Sequence, residues 1–155
     1  MILLNQMKKV LIQNRKAHFN YEIQREIEAG IELSGFEVKA LKAGKASLEG
    51  TYIIIKAGEM FLLHMNISPY QANNHPADFV PDRERRILIS KKERIELDKL
   101  VGTKNSGLTL IPLSVYLKNN RIKIEVGLAK GKKKFDKRES IKKREANRDI
   151  KRDLK

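Results

Sequence analysis

The most regular stretch of the chain is Tyr21–Leu33. Tyr21, Ile23, Ile27, Ala29, Ile31 and Leu33 alternate with Glu22, Gln24, Glu26, Glu28 and Glu32. Successive side chains of a strand point to opposite faces, so this period of two predicts a half-buried antiparallel strand, with Arg25 the one exception on its apolar side. Ser34-Gly35-Phe36-Glu37 then fits a capping box, in which serine accepts an amide bond and glutamate reaches back. A short helix carrying Phe36, Val38 and Leu41 is expected to follow and to stop at Gly44. Tyr52–Ile55 and Met60–Ile67 read as strands around Lys56-Ala57-Gly58-Glu59, a tight turn whose glycine supplies positive φ. A further short strand is expected at Ile87–Ile89. Ser90-Lys91-Lys92-Glu93 is a second capping box, opening a helix with Ile95, Leu97, Leu100 and Val101 that closes at Gly102. The last two strands, Leu108–Leu117 and Arg121–Ala129, flank Lys118-Asn119-Asn120. Pro112 predicts that the first of them lies at an edge or is bulged there.

Two stretches hold no period. Residues 1–20 end in the polar run NRKAHFN, and residues 68–86, with Pro69, Pro76 and Pro81, predict a long loop. About six strands with two inserted helices, without βαβ alternation or internal repeats, predict a mainly β fold. Closure into a small antiparallel barrel removes the edges that an open sheet of this size would expose.

Charge changes the picture at the C-terminal end. The alternation Ile122, Ile124, Val126, Leu128 stops, and Lys130 to Lys155 holds thirteen Lys/Arg against five Asp/Glu, eight of the +14 net charges. Folding stability does not call for such crowding, because like charges repel; a polyanion supplies the missing counter-charge, and nucleic acid is the first suspect. The organisation expected is a barrel domain over residues 1–129, with residues 1–13 an N-terminal arm, and a basic tail over 130–155. In the tail Ile141, Ala146, Ile150 and Leu154 have only a weak helical spacing, which predicts disorder in the free chain and a helix on binding. The chain lacks cysteine, so disulfide and thiolate chemistry are excluded. Its apolar runs are too short for a secretory core or a membrane span, Met7 is an alternative start, and a reducing cytoplasmic setting is expected.

Catalytic patterns are missing. His18, His64 and His75 are scattered without metal-ligand spacing, and His64, inside a strand run, reads as structural. Gly127, Lys130, Gly131 and Lys132 superficially resemble a phosphate loop but lack its spacing and its Ser/Thr. Glu26, Glu28 and Glu32 fit a solvated strand face better than an acid/base pair. Neither an enzyme nor a cofactor or metal site is expected. What remains is charge with interleaved aromatics: Phe135 within the lysine run suits stacking on an unpaired base, or packs on the barrel rim. Asn14, Arg15 and Lys16 form a phosphate-facing patch or merely a soluble arm.

The segments NRKA (Asn14–Ala17), EAGIELSGFEVKALKAGKASL (Glu28–Leu48), NISPY (Asn66–Tyr70) and GLAKGKKKFDKR (Gly127–Arg138) together resemble the small protein B (SsrA-binding protein) family of bacterial trans-translation. The likeness covers nearly the whole chain after about residue 10, leaving residues 1–13 outside it. It implies an oligonucleotide-binding-type barrel with accessory helices. It also implies a partner, the tRNA-like domain of transfer-messenger RNA, carried with elongation factor Tu into ribosomes stalled without a codon. The body there stands in for the missing anticodon arm, and the tail enters the empty messenger channel and the decoding region. Asn14, Tyr21, Glu28, Leu88 and Lys123 match family positions associated with RNA recognition. Lys130, Lys132, Lys133, Lys134, Asp136, Lys137 and Arg138 match the ribosome-engaging tail, and Phe135 falls where some members carry histidine. A monomer is expected. Two other classes, a structural ribosomal protein and a single-strand-binding barrel, share the size and charge and are separated only by these motifs.

Overall fold

The computed structural model describes residues 8–69, 76–103, 106–132, 138 and 141–148. In chain order its elements are β1 (Lys8–Gln13), α1 (Ala17–Asn20), β2 (Tyr21–Ile31), α2 (Gly35–Lys42), β3 (Ala46–Ser47), β4 (Tyr52–Lys56), β5 (Glu59–Leu63), β6 (Asn66–Ile67), β7 (Arg85–Leu88), α3 (Lys91–Gly102), β8 (Leu108–Lys118) and β9 (Arg121–Gly131). Hydrogen-bonded neighbours run β8–β4–β5–β7–β2–β9, and β9 pairs back onto β8, so the strands close into an antiparallel barrel. β8 serves two partners on its other side: β4 at Leu110, and β1 along Ser114–Lys118. The inward residues, among them Ile27, Ala29, Ile53, Met60, Leu62, Ile87, Leu110, Val115, Ile124 and Val126, make one core that Leu41 of α2 and Leu97 of α3 complete.

Turn and cap chemistry set the boundaries. Ser34 accepts from the Glu37 amide (3.2 Å) while Glu37 accepts from the Ser34 amide (2.9 Å), the reciprocal box expected from sequence. Gly44 follows α2 with φ of 74°. Ser90 caps α3 by accepting from the Glu93 amide at 3.2 Å. The two tight hairpins have positive φ at both central residues, Ala57-Gly58 and Asn119-Asn120, which matches the right-handed twist of the strands they join.

Some elements depart from the sequence expectation, each for a local reason. Residues 1–20, without a period, contain β1, whose register on β8 shifts between Val10 and Ile12. The run Met60–Ile67 is broken at His64, which has φ of 65° and divides β5 from β6; its Nε2 lies 3.2 Å from the Tyr52 hydroxyl, a structural role. The strand expected at Ile87–Ile89 starts earlier, at Arg85, inside the stretch read as loop. Arg85 takes an inward position with 0% exposure. Its Nε donates to Glu37 Oε2 at 2.7 Å and its Nη1 to the Met65 carbonyl at 2.6 Å. Arg83 bonds the same carboxylate. Burial is the strongest influence on Glu37 and opposes its charge, yet Arg83, the Ser34 amide and Arg85 together hold its carboxyl below the usual range. The buried ion cluster ties α2 to the β7 end of the barrel.

Two bulges decide which residues face outward. On β8 the register shifts between Pro112 and Ser114, as proline predicted, though β8 is a central strand and not an edge. The extra residue reverses the alternation: Leu110 and Val115 enter the core, while Ile111 and Leu113 join Ala17 and Ala129 in a second cluster under α1. Gly127 makes this possible, because a Cβ there would lie 3.1 Å from Leu113 side-chain atoms. On β2 the shift falls between Ile23 and Arg25. The sequence alternates uniformly across this point, but the surfaces change: Tyr21 and Ile23 pack on the second cluster, whereas Ile27, Ala29 and Ile31 enter the core. Arg25, paired with inward Leu128, meets Glu96 of α3 at 2.7 Å, which accounts for the charged exception in the apolar series.

Candidate nucleic-acid interface

Strand parity alone would put Tyr21 and Glu28, seven positions apart, on opposite faces of β2. The β2 bulge cancels that, and both project from the outer face. Two residues beyond Glu28, Gly30 pairs with Leu88 on one side and with Lys123 on the other. Lys123 in turn pairs with Tyr116, so Leu88, Gly30, Lys123 and Tyr116 make one row across β7, β2, β9 and β8. Four residues singled out by sequence, Tyr21, Glu28, Lys123 and Leu88, therefore share one outer surface, about 30 Å long at ordinary strand rise. Leu88 is 47% exposed, an apolar side chain left in solvent at the end of this row.

Glu28 is held in a network that sequence reading does not show. The Tyr116 hydroxyl donates to Glu28 Oε2 at 2.5 Å, and Lys118 Nζ lies 3.2 Å from the same oxygen. The Tyr116 bond, then Lys118, outweigh burial and keep the Glu28 carboxyl below the usual range. Burial and the Glu28 bond raise the Tyr116 phenol. Lys8 Nζ lies over the Tyr116 ring, 4.0 Å from its centroid, and 3.3 Å from Glu125 Oε2. Glu26 is raised above the usual range by its bond to Glu125 and by that residue's charge. Burial opposes the charge of Glu125, but the bonds with Glu26, Lys8 and Ser114 draw it below the usual range. The arrangement is a fixed carboxylate that orients Lys118 next to Lys123. Tyr116 and Lys118, two and zero residues before the Asn119-Asn120 turn, face Glu28 because of the β8–β9 register, which only pairing reveals.

Asn14, Arg15 and Lys16 lie at the other end. With Tyr21 they line a cleft of about 670 Å³ whose far wall is Ser47–Thr51. Asn14 is a fastener as well: its Nδ2 donates to the Pro112 carbonyl and its amide to the Leu113 carbonyl, both 2.8 Å, at the β8 bulge. Lys16 meets Glu49 across the cleft at 3.3 Å. β9 runs past Ala129 to Gly131, which pairs with Tyr21, and Lys132 donates its amide to Asn20 (2.9 Å) and its Nζ to the His18 carbonyl (2.8 Å). The basic segment thus leaves the barrel beside the cleft. Lys130 and Arg138 are exposed, whereas Lys133, Lys134, Phe135, Asp136 and Lys137 lie outside the described residues. Residues 141–148 are helical and exposed, and the Arg144 guanidinium stands 5.2 Å from the centroid of the Phe19 ring. Among the described residues, no group of three His, Cys, Asp or Glu side chains is placed to hold a metal, and no helix is long and apolar enough to cross a membrane.

A closed antiparallel barrel with a charged outer face, running from its last strand into a lysine-rich segment, defines a protein of the oligonucleotide-binding-barrel class. Within that class the chain belongs to the SmpB protein family, whose sequence model matches residues 11–155. It is 52% identical over 150 residues to the SsrA-binding protein of Acetivibrio thermocellus, covering 96% of this chain and 94% of the other. Against the SsrA-binding protein of Geobacillus kaustophilus the identity is 47% over 146 residues, covering 93% and 91%. A solved structure described as "tmRNA-SmpB: a journey to the center of the bacterial ribosome" superposes with a TM-score of 0.63 at 37% identity, covering 84% of this chain and 93% of that one.

Proposed function

We propose that this protein is a ribosome-rescue factor that binds the tRNA-like domain of transfer-messenger RNA and brings it to stalled ribosomes. The reading takes the partner from the relatives, named SsrA-binding proteins, and from the neighbouring tmRNA-SmpB structure. The observation that carries it to particular residues is the shared outer face of Tyr21, Glu28, Lys123 and Leu88, which exists only because β2 is bulged. On that face Lys123 and Lys118 neutralise phosphates, Glu28 sets the direction of Lys118, and Leu88 packs on ribose or base. Asn14, Arg15, Lys16 and Tyr21 engage a second segment of the same RNA at the cleft. The tail, from Lys130 through Lys132, Lys133, Lys134, Phe135, Asp136, Lys137 and Arg138, occupies the messenger channel and decoding region, and elongation factor Tu is met through the RNA. The protein acts by binding, without catalysis or cofactor, as a cytoplasmic monomer.

The test is the RNA that copurifies with the native protein. One dominant transfer-messenger RNA is the expected result. Stoichiometric ribosomal RNA under all growth conditions would replace rescue by a permanent subunit role.

A further inference from the structure

Beyond Leu88 the outer surface turns into a concavity of about 270 Å³ between the β4–β5 turn, β7 and the start of α3, lined by Gly58, Glu59, Arg86, Leu88, Lys91 and Arg94 among others. Three cations face one carboxylate there. Glu59 is engaged by Arg86 at 3.1 Å, while Lys91 and Arg94 have no acidic partner among the described residues. Arg94 is nonetheless placed with care: its Nη1 lies 2.7 Å from where a Cβ on Gly58 would stand, so the guanidinium rests over the bare backbone of the turn. Helix stability does not ask for these charges. Lys91 occupies the first turn of α3, where the helix dipole disfavours cations, and Lys91 and Arg94 are like charges three residues apart on one face. A surface that concentrates positive charge against the preference of its own helix is built for an anion.

We infer that this concavity is an RNA-backbone site, in which Lys91 and Arg94, flanked by Arg86, hold phosphodiester groups of the strand that leaves Leu88. The inference rests on the proposed function and extends its surface by one element, from β7 onto α3. A bidentate guanidinium suits phosphate, and its support on Gly58 reduces the conformational freedom lost on binding.

The experiment measures binding of the full chain to a transcript of the transfer-messenger RNA tRNA-like domain across a salt series. Four proteins are compared: wild type, Lys91→Ala, Lys91→Ala with Arg94→Ala, and a charge-matched control, Lys92→Ala with Lys99→Ala, whose side chains do not line the concavity. Thermal melting checks that each variant is folded, and the single variant changes one exposed helix position only. Each lost phosphate contact lowers the slope of log affinity against log salt by about 0.7–0.9, so the single variant should lose about 0.8 and the double variant about 1.6, with the control unchanged. An unaltered slope in the double variant, or an equal loss in the control, overturns the inference and leaves the proposed function standing. Failure of the wild-type protein to bind this RNA overturns both.

Discussion

At the residue scale, Glu28 separates two accounts of an RNA surface. If the surface is only a sum of charges, Glu28→Ala raises the net charge and tightens binding. If Glu28 directs Lys118 and the Tyr116 hydroxyl, as the distances of 3.2 and 2.5 Å indicate, its loss releases both. The expected outcome of Glu28→Ala is weaker RNA binding by about tenfold, the equivalent of one charge-assisted hydrogen bond, despite the more positive protein. Lys123→Ala should instead flatten the salt dependence by about one phosphate, so titrations at several salt concentrations distinguish the roles. Glu37 raises the opposite issue, a carboxylate serving the fold. It is 1% exposed and sits between two arginines, so Glu37→Gln leaves the charge of Arg85 uncompensated and should cost about 3–5 kcal/mol in denaturant unfolding. Its pH signature follows from the direction of the shift. Glu37 titrates lower in the folded state, so its contribution is complete above the unfolded carboxylate value of about 4.3 and fades as pH falls through the folded value. Acidification below about pH 4 should therefore narrow the stability difference between wild type and Glu37→Gln.

At the scale of elements, the boundary between barrel and tail is testable. Tyr21 pairs with Gly131 and Asn20 accepts from the Lys132 amide, three and four residues past Leu128, where the apolar alternation ends. A chain ending at Lys132 should melt cooperatively at the full-length temperature. One ending at Ala129 loses that ladder end and should melt several degrees lower, about 1 kcal/mol for a domain of this size. An unchanged melting temperature at Ala129 would place the boundary where hydropathy alone put it. The strands with strict alternation, both capped helices and the Pro112 bulge were legible in sequence because each depends on a few neighbouring residues. β1 was not, since Lys8, Lys9 and Val10 are all exposed at the margin of β8 and leave no period. The start of β7 was hidden by Arg85, a buried cation whose acid lies 48 positions earlier. The candidate site residues were named from sequence through family motifs. Its assembly on one face was not, because the β2 bulge leaves the hydrophobic pattern of Tyr21–Leu33 undisturbed and shows only in the pairing with β9.

At the scale of the molecule, the proposed function divides the work between body and tail. It assigns RNA to both ends of one barrel face, and the basic segment leaves the barrel at Lys132, beside the cleft. Asp136 stands among cations where plain attraction to a polyanion would exclude it, which argues for a shaped contact. Replacing Asp136, Lys137 and Arg138 by alanine should leave RNA binding nearly intact and abolish peptide tagging on stalled ribosomes. A tail scrambled in order at constant composition is the control, and normal tagging with it would reduce the tail to an electrostatic anchor. The pairing of β2 with β9 has a further consequence, for how the protein comes into being. This seam joins residues near 21–31 to residues near 121–131, about 100 positions apart, and without it the core has an open side. A loop of this length must close before the barrel exists, which places folding among the slower, non-local topologies. During synthesis the N-terminal strands must wait, with Ile27, Ala29 and Ile31 uncovered, until β9 has been made. A ribosome that stops anywhere short of that strand holds a chain that cannot fold.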